Sequence, residues 1–229
     1  ERSTKLTGLL DSSQRPINYL RISVTDRCNL RCIYCMPQEG VEHLSHEDVL
    51  RYEEIHQVAQ AAAALGMNKL RLTGGEPLVR AHLARLVGML SKIEGIDDIS
   101  MTTNGVLLRQ HADALKAAGL SRVNISLDSL DKERYRQITR HDRFADVLDG
   151  LAAAQDAGLD PVKLNMVVIR GGNDDEVLDF ARRTIEELEP VPLTVTTSCR
   201  FTIISDLGND RDASVASKSE VWSAMVGWG

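Results

Sequence analysis

The chain has 229 residues, 43% of them hydrophobic and 26% charged, with a net charge of −6. That composition excludes a disordered chain, and no apolar run approaches the roughly 20 residues of a membrane span. The acidic balance argues against nucleic-acid binding by bulk electrostatics. The charge is uneven, however. Residues 1–35 carry six basic groups (Arg2, Lys5, Arg15, Arg21, Arg27, Arg31) against three acidic ones (Glu1, Asp11, Asp26), so a local positive region can hold an anion inside an acidic protein. Opening at Glu1 without an initiator Met and showing no secretory signal, the sequence predicts a trimmed N-terminus and a cytoplasmic location.

In chain order, an arm over residues 1–17 precedes a first strand, NYLRISV (18–24). A helix capped by Ser45 follows, with Ile55, Val58, Ala59, Ala62 and Leu65 on one face and Gly66 as its stop. KLRLT (69–73) reads as the second strand, and Val79, Leu83, Leu86, Val87 and Leu90 form the next helical stripe. Strands at 99–104, 122–128 and 162–168 alternate with helices at 107–118, 143–157 and 174–188; Gly119 and Gly158 are helix stops. Strand–helix repetition implies parallel strands with right-handed crossovers. One α/β domain over 18–210 results, with residues 211–229 beginning a further region that includes a helix at 218–228.

Parallel strands covered on both faces are usually apolar throughout. These are not. Leu20, Ile22 and Val24 alternate with Arg21 and Ser23, Leu70 and Leu72 with Arg71 and Thr73, and Val162, Leu164 and Met166 with Lys163 and Asn165. Val123, Ile125 and Leu127 alternate with Asn124, Ser126 and Asp128. With the apolar faces under the helices, the polar faces converge on the polar, partly cationic lumen of a curved sheet or barrel, which implies a polar ligand. An open sheet with one solvated face is the bland alternative.

Three of the four cysteines, Cys28, Cys32 and Cys35, crowd into TDRCNLRCIYCMP. A disulfide framework wants an even number spread along a secreted chain, so these suggest a metal site in a reducing compartment. A structural zinc site needs a fourth ligand; His43 is a candidate but lacks paired spacing. Four-iron clusters also take four thiolates, and three would leave one iron open. The other histidines show no metal or triad spacing, and Cys199 reads as a buried or incidental thiol. Asp128, at a strand end, is either a general base or, more commonly, a hydrogen-bonded structural carboxylate.

C-x3-C-x2-C with Tyr34 before the third Cys resembles the signature of the radical S-adenosylmethionine enzymes. Thr73-Gly74-Gly75-Glu76-Pro77 after the second strand resembles that superfamily's motif for the methionine amino group, and paired glycines allow close backbone approach. Thr102-Thr103-Asn104-Gly105 and Ser126-Leu127-Asp128 end the next strands in the matching order. Within the superfamily, RLTGGEPLVR, TTNGVLL, NISLDSLD and KLNMVVIRGGNDDE are similar to the GTP 3′,8-cyclase family of molybdenum cofactor biosynthesis over about residues 11–188.

The resemblance implies a partial (βα)6-type barrel and a 4Fe-4S cluster on Cys28, Cys32 and Cys35. It implies S-adenosylmethionine contacts at Tyr34, Gly75 and Ser126, and GTP contacts at Arg21, Arg71, Thr102 and Lys163. It also implies an electron donor as partner and, in a eukaryote, a mitochondrial location. Beyond Glu189 the text departs: Ile203 stands where a Glu is expected and Ser205 where a Met contacts S-adenosylmethionine, so neither is given a role. The family's second 4Fe-4S cluster takes three more cysteines, and only Cys199 remains. The expectation is a fragment or degenerate relative that binds the first cluster, holds GTP poorly and lacks full cyclase activity. An incomplete barrel would also expose apolar surface and could associate as a homodimer. The other readings are a radical enzyme acting on a peptide or small molecule, and a non-catalytic cluster-binding remnant.

Overall fold

A computed structural model describes residues 8–45 and 47–186. The expectations for residues 187–229, including the helix at 218–228, Cys199, Ile203 and Ser205, lie outside the described residues. So do residues 1–7 of the arm.

Five strands make one parallel sheet: β1 (Tyr19–Ser23), β2 (Lys69–Thr73), β3 (Asp98–Thr103), β4 (Arg122–Ser126) and β5 (Lys163–Asn165). They are hydrogen-bonded in sequence order, β1-β2-β3-β4-β5. Each crossover carries helix: α1 (Tyr52–Ala64), α2 (Leu83–Leu90), α3 (Ala112–Ala118), then α4 (Lys132–Thr139) with α5 (Phe144–Asp156), and α6 (Val177–Glu186) after β5. This is the α/β, partial-barrel arrangement that the period-two strands predict, with the helices on one side of the sheet. In the arm, Leu10 bridges Pro16 in an antiparallel contact beside β1.

The apolar alternates of the strands form the core. Leu70, Leu72, Ile99, Met101, Val123 and Ile125 are at most 3% exposed and cluster with Ile55 and Ala59 of α1, Leu86 and Leu90 of α2, Leu115 of α3, and Val147 and Ala154 of α5. Burying each such leucine or isoleucine contributes about 1.5–3 kcal/mol, so this face holds the sheet and helices together. Among the described residues no helix is long and apolar enough to cross a membrane.

The helix stops fall where glycine allows a left-handed residue. After α1, Gly66 sits at φ +93°, its N–H bonding Ala63 O at 2.9 Å while Met67 N–H reaches back to Ala62 O at 3.0 Å. The same backbone closure recurs at Gly119 and Gly158.

Four expectations need correction. Ser45 does not cap α1: its hydroxyl bonds Asp48, and the helix starts at Tyr52, where Arg51 N–H and the Glu54 carboxylate close a capping box. Val58 and Leu65 are exposed rather than on the buried face. Val79 belongs to a separate turn, Pro77–Val79, because α2 begins only at Leu83. Finally, α4 lies in a stretch to which the periodicity assigns no element. Four of its eight residues are charged, and only Tyr135, Ile138 and Thr139 are buried.

Candidate active site

The loops at the C-terminal ends of the strands are built around the cysteine segment. Beyond β1, Val24 N–H bonds Thr73 O, Gly75 N–H bonds Thr25 O and Glu76 N–H bonds Arg27 O, each at 2.8 Å. The two loops therefore run flush. A Cβ on Gly74 would stand 2.3 Å from Thr25 O, and one on Gly75 would stand 2.3 Å from Arg27 O. The glycine pair is thus required by the cysteine loop itself, whatever else it contacts.

Glu76 is fully buried and ties β2 to β3: its carboxylate accepts from Thr103 Oγ1 at 2.7 Å, Asn104 N–H at 2.6 Å and Leu78 N–H at 3.0 Å. Burial raises its pKa, against the lowering effect of these donors. Asn104 then turns toward the cysteines. Its Nδ2 donates to Asn29 Oδ1 at 2.7 Å and lies 3.9 Å from Cys28 Sγ, which also accepts from Leu30 N–H at 3.5 Å.

Tyr34, between Cys32 and Cys35, reaches across the site, its hydroxyl donating to Asp128 at 2.5 Å. Asp128 also accepts from Val167 N–H at 2.9 Å. Both of its oxygens are engaged and it is 3% exposed, as the structural reading of this carboxylate expects. Burial raises the Asp128 pKa, and burial with the Asp128 charge raises that of Tyr34. Burial likewise raises all three thiols, Cys32 to about 12, with Asp128 and neighbouring cysteines adding to the effect at Cys32 and Cys35. Protonated thiols of this kind are poor free nucleophiles.

From below, α4 supports the loop. The C-terminal carbonyls of this helix, Ile138 O and Thr139 O, accept from Ile33 N–H at 2.9 Å and Arg31 N–H at 3.1 Å, so the cysteine segment satisfies the helix end.

The remaining predicted residues lie on the sheet face away from the helices. In register, Arg21 stands beside Arg71, Arg71 beside Ser100, and Ser100 beside Arg122. One step nearer the loops, Thr102 neighbours Asn124, which neighbours Lys163, and Ser126 pairs with Asn165 at the rim. Five cations share the face: Arg21, Lys69, Arg71, Arg122 and Lys163. Arg122 is neutralised bidentately by Asp98 at 2.8 and 2.5 Å. Among the described residues Arg21, Arg71 and Lys163 have no carboxylate partner: Arg21 reaches Thr73 Oγ1 at 3.5 Å, and Arg71 lies over the Tyr19 ring at 5.4 Å. The Lys163 pKa is lowered, by burial first and then by the Arg122 and Arg71 charges.

The structure thus places the predicted residues in two sets, a rim (Cys28, Cys32, Tyr34, Cys35, Gly75, Ser126) and a face (Arg21, Arg71, Thr102, Lys163). Sequence reasoning missed Arg122 and gave Asn124 no role. Asn124 is 6% exposed with Oδ1 buried and unpaired, an orphan acceptor between Thr102 and Lys163. Arg122 shares the strand period of Asn124 and Ser126, so the alternation already marked it.

As donors, three thiols on one short loop fit an iron–sulfur cluster, in which each thiolate takes a different iron. Among the described residues no three His, Cys, Asp or Glu side chains converge as on a single metal ion. Hydrogen-bond donors at Cys28 Sγ suit a ligand that loses its proton on binding.

Taken with this loop and sheet, residues 22–184 match the model of the Radical SAM superfamily, and the chain belongs to that superfamily. Its sequence is 61% identical over 175 residues to a GTP 3′,8-cyclase of Pelotomaculum thermopropionicum, covering 76% of this chain and 54% of that protein. It is 59% identical over 177 residues to the GTP 3′,8-cyclase of Moorella thermoacetica, covering 77% and 55%. The chain therefore spans about half the length of these curated relatives. Its fold resembles Streptococcus suis SuiB bound to S-adenosylmethionine (TM-score 0.62, 17% identity, 74% of this chain and 38% of that one). It also resembles methylornithine synthase (TM-score 0.57, 19% identity, 75% and 50%).

Proposed function

We propose that the chain is the core of a GTP 3′,8-cyclase, a lyase-type radical enzyme of molybdenum cofactor biosynthesis working in the cytoplasm. One observation carries the substrate assignment: Arg21, Arg71 and Lys163 share a sheet face under the cysteine loop and lack carboxylate partners among the described residues. Cations held together in this way lower one another's tolerance for charge, and an anionic ligand removes that penalty. The similarity to GTP 3′,8-cyclases supports GTP as that anion.

In this reading Cys28, Cys32 and Cys35 hold a 4Fe-4S cluster, and Tyr34, Gly75 and Ser126 border the S-adenosylmethionine. Together these groups supply, when bound, a hydrogen-abstracting radical. The chain's own residues bind and orient. Arg21, Arg71 and Lys163 neutralise the triphosphate, arginine by paired planar donors. Thr102 offers a hydroxyl on the same face. The Tyr34–Asp128 bond and the Glu76 anchor hold the cysteine loop against the ends of β2, β3 and β4. A one-electron donor is the partner this chemistry requires, and the homodimer expected from the sequence is tested by the mass of the loaded protein in solution.

The test is anaerobic reconstitution followed by reduction, with iron, sulfide, 5′-deoxyadenosine and nucleotide binding measured. About four irons per chain are expected, lost on Cys28→Ala. GTP should bind more tightly than guanosine, the gap narrowing with salt. Equal binding of GTP and guanosine would overturn the substrate assignment, and zinc in place of iron would overturn the cluster.

A further inference from the structure

We infer that Arg140 is a positioning residue for the cluster, a clamp holding the two ends of the segment that carries Cys32 and Cys35. The inference rests on the cluster assignment above but not on the identity of the substrate. One guanidinium nitrogen, Nη1, donates to Arg31 O at 3.0 Å and to Met36 O at 2.9 Å. Those carbonyls belong to the residues immediately before Cys32 and immediately after Cys35. A single charged group therefore fixes the span between two thiols, adding to the turn in which Cys35 N–H bonds Cys32 O at 2.9 Å.

Two further observations point the same way. Arg140 ends α4 with φ +60°, ψ +16°, the left-handed region that costs a non-glycine residue steric strain. Glycine would occupy it freely, as it does after α1, α3 and α5. Strain kept at a site, where an unstrained residue would serve the helix as well, marks a side chain retained for another task. The second observation is the cavity of about 420 Å³ that the clamp borders, lined by Cys28, Arg31, Arg140 and His141 among others. There Arg31 donates to Cys28 O at 2.8 Å and Leu30 O at 2.9 Å, so a second guanidinium holds the first thiol's backbone. Carbonyls engaged by cations cannot turn toward the thiolates, and the positive charge favours the reduced, more negative cluster.

The experiment compares Arg140→Gly, Arg140→Lys and Cys28→Ala with the parent chain. Arg140→Gly removes clamp and strain together. We expect its metal-free form to melt within about 2 °C of the parent, relief of strain offsetting the lost hydrogen bonds. Its reconstituted cluster should be stripped by a chelator at least about fivefold faster, from loss of charge-assisted bonds. Its reduction midpoint, followed by the electron paramagnetic resonance of the reduced cluster, should move negative. Arg140→Lys keeps the charge and should recover most of the midpoint.

A parent-like stripping rate and midpoint in Arg140→Gly would overturn the clamp while leaving the cluster assignment standing. A large drop in the metal-free melting temperature, with an unchanged midpoint, would make Arg140 merely structural and also overturn it. If the parent takes up no iron and so matches Cys28→Ala, both the cluster assignment and the clamp fall.

Discussion

The two faces of the sheet are made by the same strands and have opposite duties. On the helix side, Leu70, Leu72, Met101, Val123 and Ile125 are fully buried among apolar side chains. On the other, Arg21, Arg71, Arg122 and Lys163 stand in neighbouring strands, and only Arg122 has an acidic partner among the described residues. Successive strand residues point to opposite faces, so one backbone separates a stabilising surface from a binding one at every second position. The cationic face is tolerated because the apolar one supplies the stability.

Adjacent residues of β2 sharpen this contrast. Leu72→Ala should destabilise the chain by about 2–5 kcal/mol, the cost of lost burial plus a cavity, read from urea melts. In protein that remains folded, nucleotide affinity should be unchanged. Arg71→Met should do the reverse. Stability should hold or rise slightly, because Arg71 adds to the charge that lowers the Lys163 pKa. GTP affinity should fall by about 10–100-fold, the range expected for a charge-assisted bond. Should Arg71→Met unfold the chain and leave affinity intact, the division of labour between the faces is wrong.

Much of this was legible because period two and period 3.6 are strong signals where apolar and polar residues alternate cleanly. KLRLT forms its strand at the predicted residues, 69–73, and the glycine stops at 66, 119 and 158 close their helices. β5 is shorter than its pattern, 163–165 rather than 162–168, because side chains, one distant and one local, capture the backbone beyond it. Val167 N–H bonds Asp128, and Ile169 N–H bonds Asn173 at 2.6 Å. Helix α4 was hidden by its charge, although Asp131, which caps it by accepting from Arg134 N–H, and Glu133 in its first turn were visible starts. The cysteines announced themselves by type and spacing. Their supports did not, since Tyr34 and Asp128 are 94 positions apart and Arg140 is 109 from Arg31. No local pattern encodes such a contact.

The rim where the two faces meet allows a subtler test, through pH. Asp128 and Glu76 are buried carboxyls whose pKa values burial raises above the ordinary 3.8 and 4.5. Between the ordinary and the raised value, the folded state binds more protons than the unfolded state. Each group therefore contributes stability that is fully present below its ordinary pKa and is lost as pH rises through the raised one. In the metal-free chain, urea melts should show these two sites opposing the usual acid destabilisation, with stability declining as pH rises above about 4–5. Asp128→Asn can keep both bonds, its oxygen accepting from Val167 N–H and its amide donating to the Tyr34 oxygen, while removing the titration. Its stability should therefore depend less on pH than the parent's, and the difference between the two proteins should close toward the acid end. A parallel pair of curves would mean that Asp128 does not titrate in this range. The rim would then owe its pH response to Glu76 alone, which Glu76→Gln would show at the cost of turning an amide donor toward one of three donors already present.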